Sequence, residues 1–205
     1  LGGRIGYILF YNFVYYLENS WKIFSIWEGG MSFHGGLIGV MLASLIFSKK
    51  NQINLLKTTD TLSLIAPLGL FFGRIGNFIN GELYGRIANK FCLYFPTDPT
   101  NCRYPSQLLE AIFEGLILFI TLNYISKKNL SDGILSGFFL ILYSIFRIII
   151  EFFREPDIQI GLLAGFFTEG QLLSLLMFLC GLILLFKNIL THALLPKKDL
   201  RKEEK

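Results

Sequence analysis

Apolar residues run in long blocks along this chain, and short polar stretches break the blocks at intervals. The blocks 31–48, 62–80, 106–126, 134–153 and 170–190 are each near the ~20 residues that a bilayer-spanning helix needs. Residues 1–17 form a further, shorter apolar piece. The breaks carry turn chemistry and charge: Glu28-Gly29-Gly30, Lys49-Lys50-Asn51, Lys127-Lys128-Asn129 and Arg154-Glu155-Pro156-Asp157. The pattern predicts an all-α, polytopic transmembrane helical bundle with five full spans plus a partial first span. A short outward-facing loop region is expected at 81–105, within a single transmembrane catalytic domain over 1–190. Residues 191–205 are expected to be a basic cytoplasmic tail.

Composition agrees with a membrane setting. Of 205 residues, 53% are hydrophobic and only 17% charged, against about a quarter charged in soluble domains. An ordinary soluble enzyme, a disordered tail and a nucleic-acid binder are thereby excluded. The three cysteines and two histidines show no CxxC pairing and make no convincing zinc set, so no metal is expected. Cys92 and Cys102 share one loop and could pair if that loop faces an oxidising compartment. The chain starts at Leu1 rather than Met, which reads as a piece of a longer chain.

The positions of the basic residues orient the spans. If the spans alternate, Lys49, Lys50, Lys57, Lys127, Lys128, Lys187, Lys197, Lys198, Arg201, Lys202 and Lys205 share one side. The opposite loops hold Lys22, Arg86, Lys90, Arg103 and Arg154, an 11-to-5 split. By the positive-inside rule the C-terminus is cytoplasmic, and the loops 18–30, 81–105 and 154–169 face outward. Gly3-Arg4-Ile5-Gly6 also echoes Gly73-Arg74-Ile75-Gly76. Were Arg4 as deep in its helix as Arg74, roughly ten residues of the first span would lie upstream. The alternative is coincidence in a Gly-rich chain.

An ionisable group inside a span is expensive and by default marks function. In this topology His34, Arg74, Asn77, Asn80, Gln107, Glu110, Glu114, Arg147, Glu151, Gln171 and Ser174 all fall in the outer halves of their spans, and the inner halves hold almost nothing polar. Arg147, Glu151 and Arg154 are at i, i+4 and i+7, and Gln107, Glu110 and Glu114 at i, i+3 and i+7. Each set therefore shares one helical face. Such faces should point into the bundle and toward each other. The competing reading is structural: Arg147–Glu151 and Arg74–Glu110 as ion pairs that join helices.

Glycines offer space. Gly35, Gly36 and Gly39 after His34, and Gly76, Gly81 and Gly85 around Arg74, leave room for a bulky head group; the alternative for Gly35 and Gly39 is close helix packing. Two arginines in a buried site favour an anion, because guanidinium stays charged when desolvated and binds phosphate through paired hydrogen bonds. At an outer leaflet the abundant phosphates are phospholipid head groups. His34 is the side chain there whose ordinary pKa suits proton transfer near neutrality.

The same residues carry a family resemblance. Met31-Ser32-Phe33-His34-Gly35-Gly36-Leu37 and the run from Gly73-Arg74-Ile75-Gly76-Asn77-Phe78 through Ile79-Asn80-Gly81-Glu82-Leu83-Tyr84-Gly85-Arg86 resemble the signature of bacterial prolipoprotein diacylglyceryl transferases. Pro105-Ser106-Gln107-Leu108-Leu109-Glu110 and Phe146-Arg147-Ile148-Ile149-Ile150-Glu151-Phe152-Phe153-Arg154 extend it over essentially the whole chain. The resemblance implies seven transmembrane helices in the full-length protein, in the bacterial cytoplasmic (inner) membrane. The implied reaction transfers the diacylglyceryl group of phosphatidylglycerol to the lipobox cysteine of a preprolipoprotein, the first step of lipoprotein maturation, with no metal, nucleotide or other cofactor. It further implies that Arg74, with Asn77 and Glu82 beside it, binds phosphatidylglycerol. Arg147 matches a second critical arginine, Glu151 its helical neighbour and His34 the motif histidine. An upstream functional tyrosine lies outside these residues, and Glu169 stands where the family pattern has an apolar residue.

The expected mechanism is nucleophilic substitution at the glycerol carbon bonded to phosphate. His34, Arg147 and Glu151 are the candidate catalytic residues; Arg74, Asn77, Asn80, Glu82, Gln107, Glu110 and Arg154 are the candidate substrate-binding residues. The expected partners are phosphatidylglycerol, a signal peptide with its lipobox cysteine, and the bilayer. The competing function is an outer-leaflet phospholipid transporter or flippase. An intramembrane protease is disfavoured because no Asp falls within the five predicted spans.

Overall fold

The structure, a computed structural model, describes residues 1–155 and 168–194, with Glu169 and 188–194 as backbone only. The centre of the predicted loop 154–169, the Glu169 side chain and residues 195–205 of the predicted tail lie outside the described residues. The helices are α1 (Gly2–Tyr11), α2 (Phe13–Glu18), α3 (Phe33–Asn51), α4 (Leu55–Asn80), α5 (Ser106–Glu110), α6 (Leu118–Ser126), α7 (Ile134–Ile150) and α8 (Glu169–Leu194). A π-helical segment, Ala111–Ile117, joins α5 to α6 without a break. Among the described residues three helices are long and apolar enough to cross a membrane: Leu55–Asn80, Ser106–Ser126 and Gly170–Lys187. Length and composition thus support three of the five predicted full spans, and the other two fall short of that measure for physical reasons. Helix α7 stops after 17 residues, and α3 dilutes its apolar run with His34 at one end and Lys49, Lys50 and Asn51 at the other.

Two compact units divide the chain, Leu1–Thr58 and Thr59–Lys205. In the first, Asn12, with φ −142° and ψ 38°, breaks the opening apolar piece into α1 and α2. Helix α1 packs on α3 through glycines. A Cβ on Gly6 would lie 2.7 Å from the Gly35 Cα, and one on Gly39 would lie 3.1 Å from the Gly2 Cα. Close packing is thus what Gly35 and Gly39 provide, whereas Gly36 has open space around it. Ser32 caps α3, its Oγ accepting the Gly35 N–H at 3.2 Å.

The echo between Arg4 and Arg74 does not extend to their partners. Arg4 is buried and donates to the backbone carbonyls of Lys22 (2.7 Å), Ser25 (3.0 Å), Ile23 (3.2 Å), Gly30 (3.3 Å) and Gly29. Its guanidinium lies 5.1 Å from the Tyr16 ring centroid. It ties down the segment 20–30 by donating to five of its backbone carbonyls.

In the second unit, α7 packs along α8 where Gly137 and Gly181 face each other; a Cβ on Gly181 would sit 2.9 Å from the Gly137 carbonyl oxygen. Thr168 and Gln171 close a reciprocal cap at the start of α8, with both hydrogen bonds at 3.2 Å. The loop predicted at 81–105 has structure of its own. Strands β1 (Leu93–Phe95) and β2 (Asp98–Arg103) form an antiparallel ribbon, so the all-α description needs this amendment. A disulfide joins Cys92 to Cys102, and Cys180 is free and exposed.

Candidate functional site

Three helical segments of the second unit bring their charges to one carboxylate. Glu110 closes α5, just before the backbone widens into the π-helical segment that carries Glu114. Local widening of this kind recurs at functional sites because it re-aims side chains that a regular helix would spread around its axis. Both glutamates are fully buried, at 0% exposure. Gly115 makes the burial possible: a Cβ there would lie 2.6 Å from the Phe71 Cβ and 2.8 Å from its Cα. Helix α4 therefore approaches the π-helical segment almost backbone to backbone.

Around Glu110 the arginines gather. Its Oε2 lies 2.6 Å from Arg74 Nε of α4 and 3.1 Å from Arg147 Nη1 of α7. Arg154, just past α7, comes to 3.7 Å of the same oxygen. Arg147 also reaches Glu151 at 3.1 Å, one helical turn on, and Glu114 at 3.6 Å. Both ion pairs named in the competing structural reading, Arg74–Glu110 and Arg147–Glu151, are present. They belong to one network of three guanidiniums and three carboxylates. Glu110 Oε1, Gln107 Oε1 and both oxygens of Glu114 are buried and accept no hydrogen bond from the described residues.

A second cluster sits where α4 ends. Asn77 and Asn80 donate their amides to Glu82 Oε1 at 2.9 and 3.4 Å, and Gln107 donates to the Glu82 carbonyl at 2.8 Å. The chain reverses here through Gly81, whose φ of +66° suits glycine. The Thr97 hydroxyl donates to the Gly81 carbonyl. Gly85 does not leave the space expected of it, since a Cβ there would lie 2.4 Å from the Phe153 carbonyl oxygen. Open space surrounds Gly73 and Gly76 instead.

The loop holds Arg154 from behind. Gly85 pairs with Arg154 across a β-bridge, and Arg86 donates through Nε to the Arg154 carbonyl at 2.9 Å. Arg103 anchors the ribbon itself. It pairs with Asp98 at 2.5 Å and Glu155 at 3.2 Å, and its guanidinium lies 4.6 Å from the Tyr84 ring centroid. The hydrogen bond from Arg103 holds the Asp98 carboxyl below its usual range.

Of the sequence-predicted residues, Arg74, Glu110, Arg147, Glu151 and Arg154 meet in one network. Asn77, Asn80, Glu82 and Gln107 form the adjoining cluster. His34 belongs to the first unit, where it is exposed in the first turn of α3 with its ring 5.8 Å from that of Phe33. Glu114, which spacing sets on one face with Gln107 and Glu110 but which is not among the candidate site residues, joins the network through Arg147. Asp60 was missed altogether. Helix α4 begins at Leu55, earlier than the apolar block, so an aspartate does stand inside a membrane-length helix.

Such a network can hold an anion. Guanidiniums already fixed by carboxylates keep their orientation, and arginine suits phosphate through its planar fork of donors. Among the described residues no group of His, Cys, Asp and Glu is arranged to hold a metal ion.

Comparison with known proteins shows the family. The family model described as "Prolipoprotein diacylglyceryl transferase" matches residues 1–187. A phosphatidylglycerol–prolipoprotein diacylglyceryl transferase of Rickettsia bellii (strain OSU 85-389) is 53% identical over 192 residues, covering 92% of this chain and 73% of the relative. Its counterpart in Geobacter sulfurreducens is 51% identical over 183 residues, covering 89% of this chain and 70% of the relative. That of Idiomarina loihiensis is 50% identical over 188 residues, covering 91% and 71%. With a match of that extent along the chain, this chain belongs to the prolipoprotein diacylglyceryl transferase family.

Proposed function

We infer that this chain is a transferase that moves the diacylglyceryl group of phosphatidylglycerol onto a prolipoprotein, within lipoprotein maturation. The observation that carries the reading is the arginine trio around buried Glu110. It suits a phosphodiester that must be gripped in an apolar setting and must leave with more charge than it brought.

The acceptor is the thiol of the lipobox cysteine. A C–S bond forms at the glycerol carbon while the bond from that carbon to the phosphate oxygen breaks. The electron pair of the broken bond stays on the phosphate, which departs as glycerol phosphate. Arg74 and Arg147 hold the phosphate and bind it more tightly as charge develops, which lowers the barrier rather than merely tightening substrate binding. Glu151 orients Arg147, and Arg154 adds a third positive group. Asn77, Asn80, Glu82 and Gln107 contact the head group beside them. The proton of the thiol goes to His34, on the strength of its chemistry. A thiol of pKa near 8.5 asks only a modest contribution, about 10²-fold, from such a base.

The setting is the bacterial inner membrane, crossed by five full spans and a partial first one in these residues. Residues 1–190 act as one catalytic domain, with 191–205 as a cytoplasmic tail. The disulfide at Cys92–Cys102 supports an outward position for the loop 81–105, since such bonds persist in oxidising compartments. The basic residues support the same orientation. The arginine network then lies toward the outer leaflet, where a lipid can enter sideways and a signal peptide can present its cysteine.

The test is direct. The protein is reconstituted with phosphatidylglycerol and a lipobox peptide, and the peptide is weighed by mass spectrometry. A diacylglyceryl mass gain on cysteine is expected. Vectorial lipid movement without that gain would refute the transferase reading in favour of a flippase.

A further inference from the structure

Asp60 lies on α4 at the end opposite Arg74, and it supplies something α7 cannot supply for itself. The N-cap of α7 is Gly133, which has φ +95° and no side chain to offer. Asp60 reaches across from α4 in its place. Its Oδ2 accepts the Gly133 N–H at 2.7 Å, and its Oδ1 accepts the Ser136 N–H at 2.7 Å and the Ser136 hydroxyl at 2.6 Å. One carboxylate from a different helix thus satisfies the N-cap and third-position donors that a capping box serves from within its own helix. The Ser136 hydroxyl is also within 2.9 Å of Thr59 Oγ1, and 3.5 Å from Ser63 Oγ. The negative charge sits where the helix dipole is positive.

The clasp and the arginines share a spacing. Arg74 is 14 positions beyond Asp60, and Arg147 is 14 positions beyond Gly133. At 1.5 Å per residue both intervals are about 21 Å. Helices α4 and α7 run in the same direction, pinned at one end by Asp60 and joined at the other through Glu110, which pairs with both arginines. A slip of one residue at the clasp would move Arg147 by about 1.5 Å along α4. That is enough to spoil a shared grip on one phosphate, because misplacement on the ångström scale costs on the order of 10²-fold in rate.

We propose that Asp60 is a positioning residue for the transfer reaction: its clasp on the N-terminus of α7 sets the axial register in which Arg74 and Arg147 hold one phosphate. The proposal rests on the phosphate-gripping role of the arginines given above, but its register part can be measured without any activity.

Two readouts separate the possibilities. Spin labels at Ile79 on α4 and Ile149 on α7, both exposed, report the separation of the arginine ends in a Cys180→Ser background. Asp60→Asn, which keeps the shape but halves the acceptors, is expected to shift or broaden that distance. Ser136→Ala, which leaves both backbone bonds to Asp60, is expected not to. In the transfer assay Asp60→Asn is expected to lower kcat/KM for phosphatidylglycerol about tenfold, and Asp60→Ala further. In an Arg147→Lys background the same Asp60→Asn change is expected to cost less than in the parent, because the grip it aligns is already impaired. An unchanged distance overturns the register claim. An Asp60→Asn loss of equal size in both backgrounds, with lowered thermal stability, reduces Asp60 to a helix cap and also overturns it. A wild-type protein without transfer activity refutes the function instead, and leaves the distance measurement to decide the register.

Discussion

Arg74 and Arg147 are held apart by a single oxygen: Glu110 Oε2 lies 2.6 Å from the first and 3.1 Å from the second. Two guanidiniums that would otherwise repel are fixed by one buried carboxylate, on a segment contributed by neither of their helices. Removing it leaves uncompensated buried charge, which costs about 3–5 kcal/mol. Glu110→Ala is therefore expected to lower the thermal stability of the detergent-solubilised protein and to reduce transfer at least 100-fold. Retained stability together with retained activity would show that the arginines hold their places unaided.

Gly115 sets how closely α4 can come. A Cβ at this position meets the backbone of Phe71, which cannot yield as the tip of a long side chain can. Gly115→Ala should force the π-helical segment away from α4 and stretch the Arg74–Glu110 pair, at about 1–3 kcal/mol for overpacking. The expected result is a lower melting temperature together with a higher KM for phosphatidylglycerol. Gly36→Ala, with open space around its site, is expected to leave melting unchanged.

The disulfide closes a ten-residue separation in the loop. Crosslinking a loop of that length is worth about 2–3 kcal/mol in the chain-entropy view. Cys92→Ser with Cys102→Ser should therefore speed proteolysis within 86–103 while leaving the helices folded. Because Arg86 and Gly85 hold the backbone at Arg154, a several-fold loss of transfer is expected with it. Unaltered proteolysis would mean that Arg103 alone holds the ribbon.

Acid should open the same ribbon. Arg103 holds the Asp98 carboxyl below its usual value of 3.8. A lowered folded-state pKa gives stability that is fully present above pH 3.8 and is lost as pH falls through the lower, folded value. Amide exchange in 93–103 is expected to stay slow down to about pH 4 and to accelerate in stronger acid. Acceleration already near pH 6 would exclude Asp98 as the responsible group.

How much of this could be read from residues alone depends on distance along the chain. The apolar blocks located α4, the α5–α6 helix and α8, because a 20-residue run is a strong signal. Helical spacing likewise brought Arg147 to Glu151 and set Glu110 on the same face as Gln107. What escaped depended on contacts across the fold. Asp60 lies two residues before its apolar block, and its partners Gly133 and Ser136 are 73 and 76 positions away, so its capping role had no local trace. The π-helical widening at Ala111–Ile117 shifts the helical period without any composition that announces it. Gly85 and Gly115 look like any glycines, yet they mark backbone contact, while Gly36 and Gly76 mark open space. The pairing of Cys92 with Cys102 also needed a ribbon to bring the two residues together.

The central claim is that the guanidiniums around Glu110 grip the phosphate of phosphatidylglycerol while its diacylglyceryl group moves to a cysteine thiol. The most direct test is Arg147→Ala, assayed by mass spectrometry of a lipobox peptide with phosphatidylglycerol, alongside a check that the variant is folded in the membrane. Loss of the diacylglyceryl mass gain by about 10²–10³-fold is expected, as for removal of a principal group that stabilises transition-state charge. Full transfer by membrane-inserted Arg147→Ala would contradict the account.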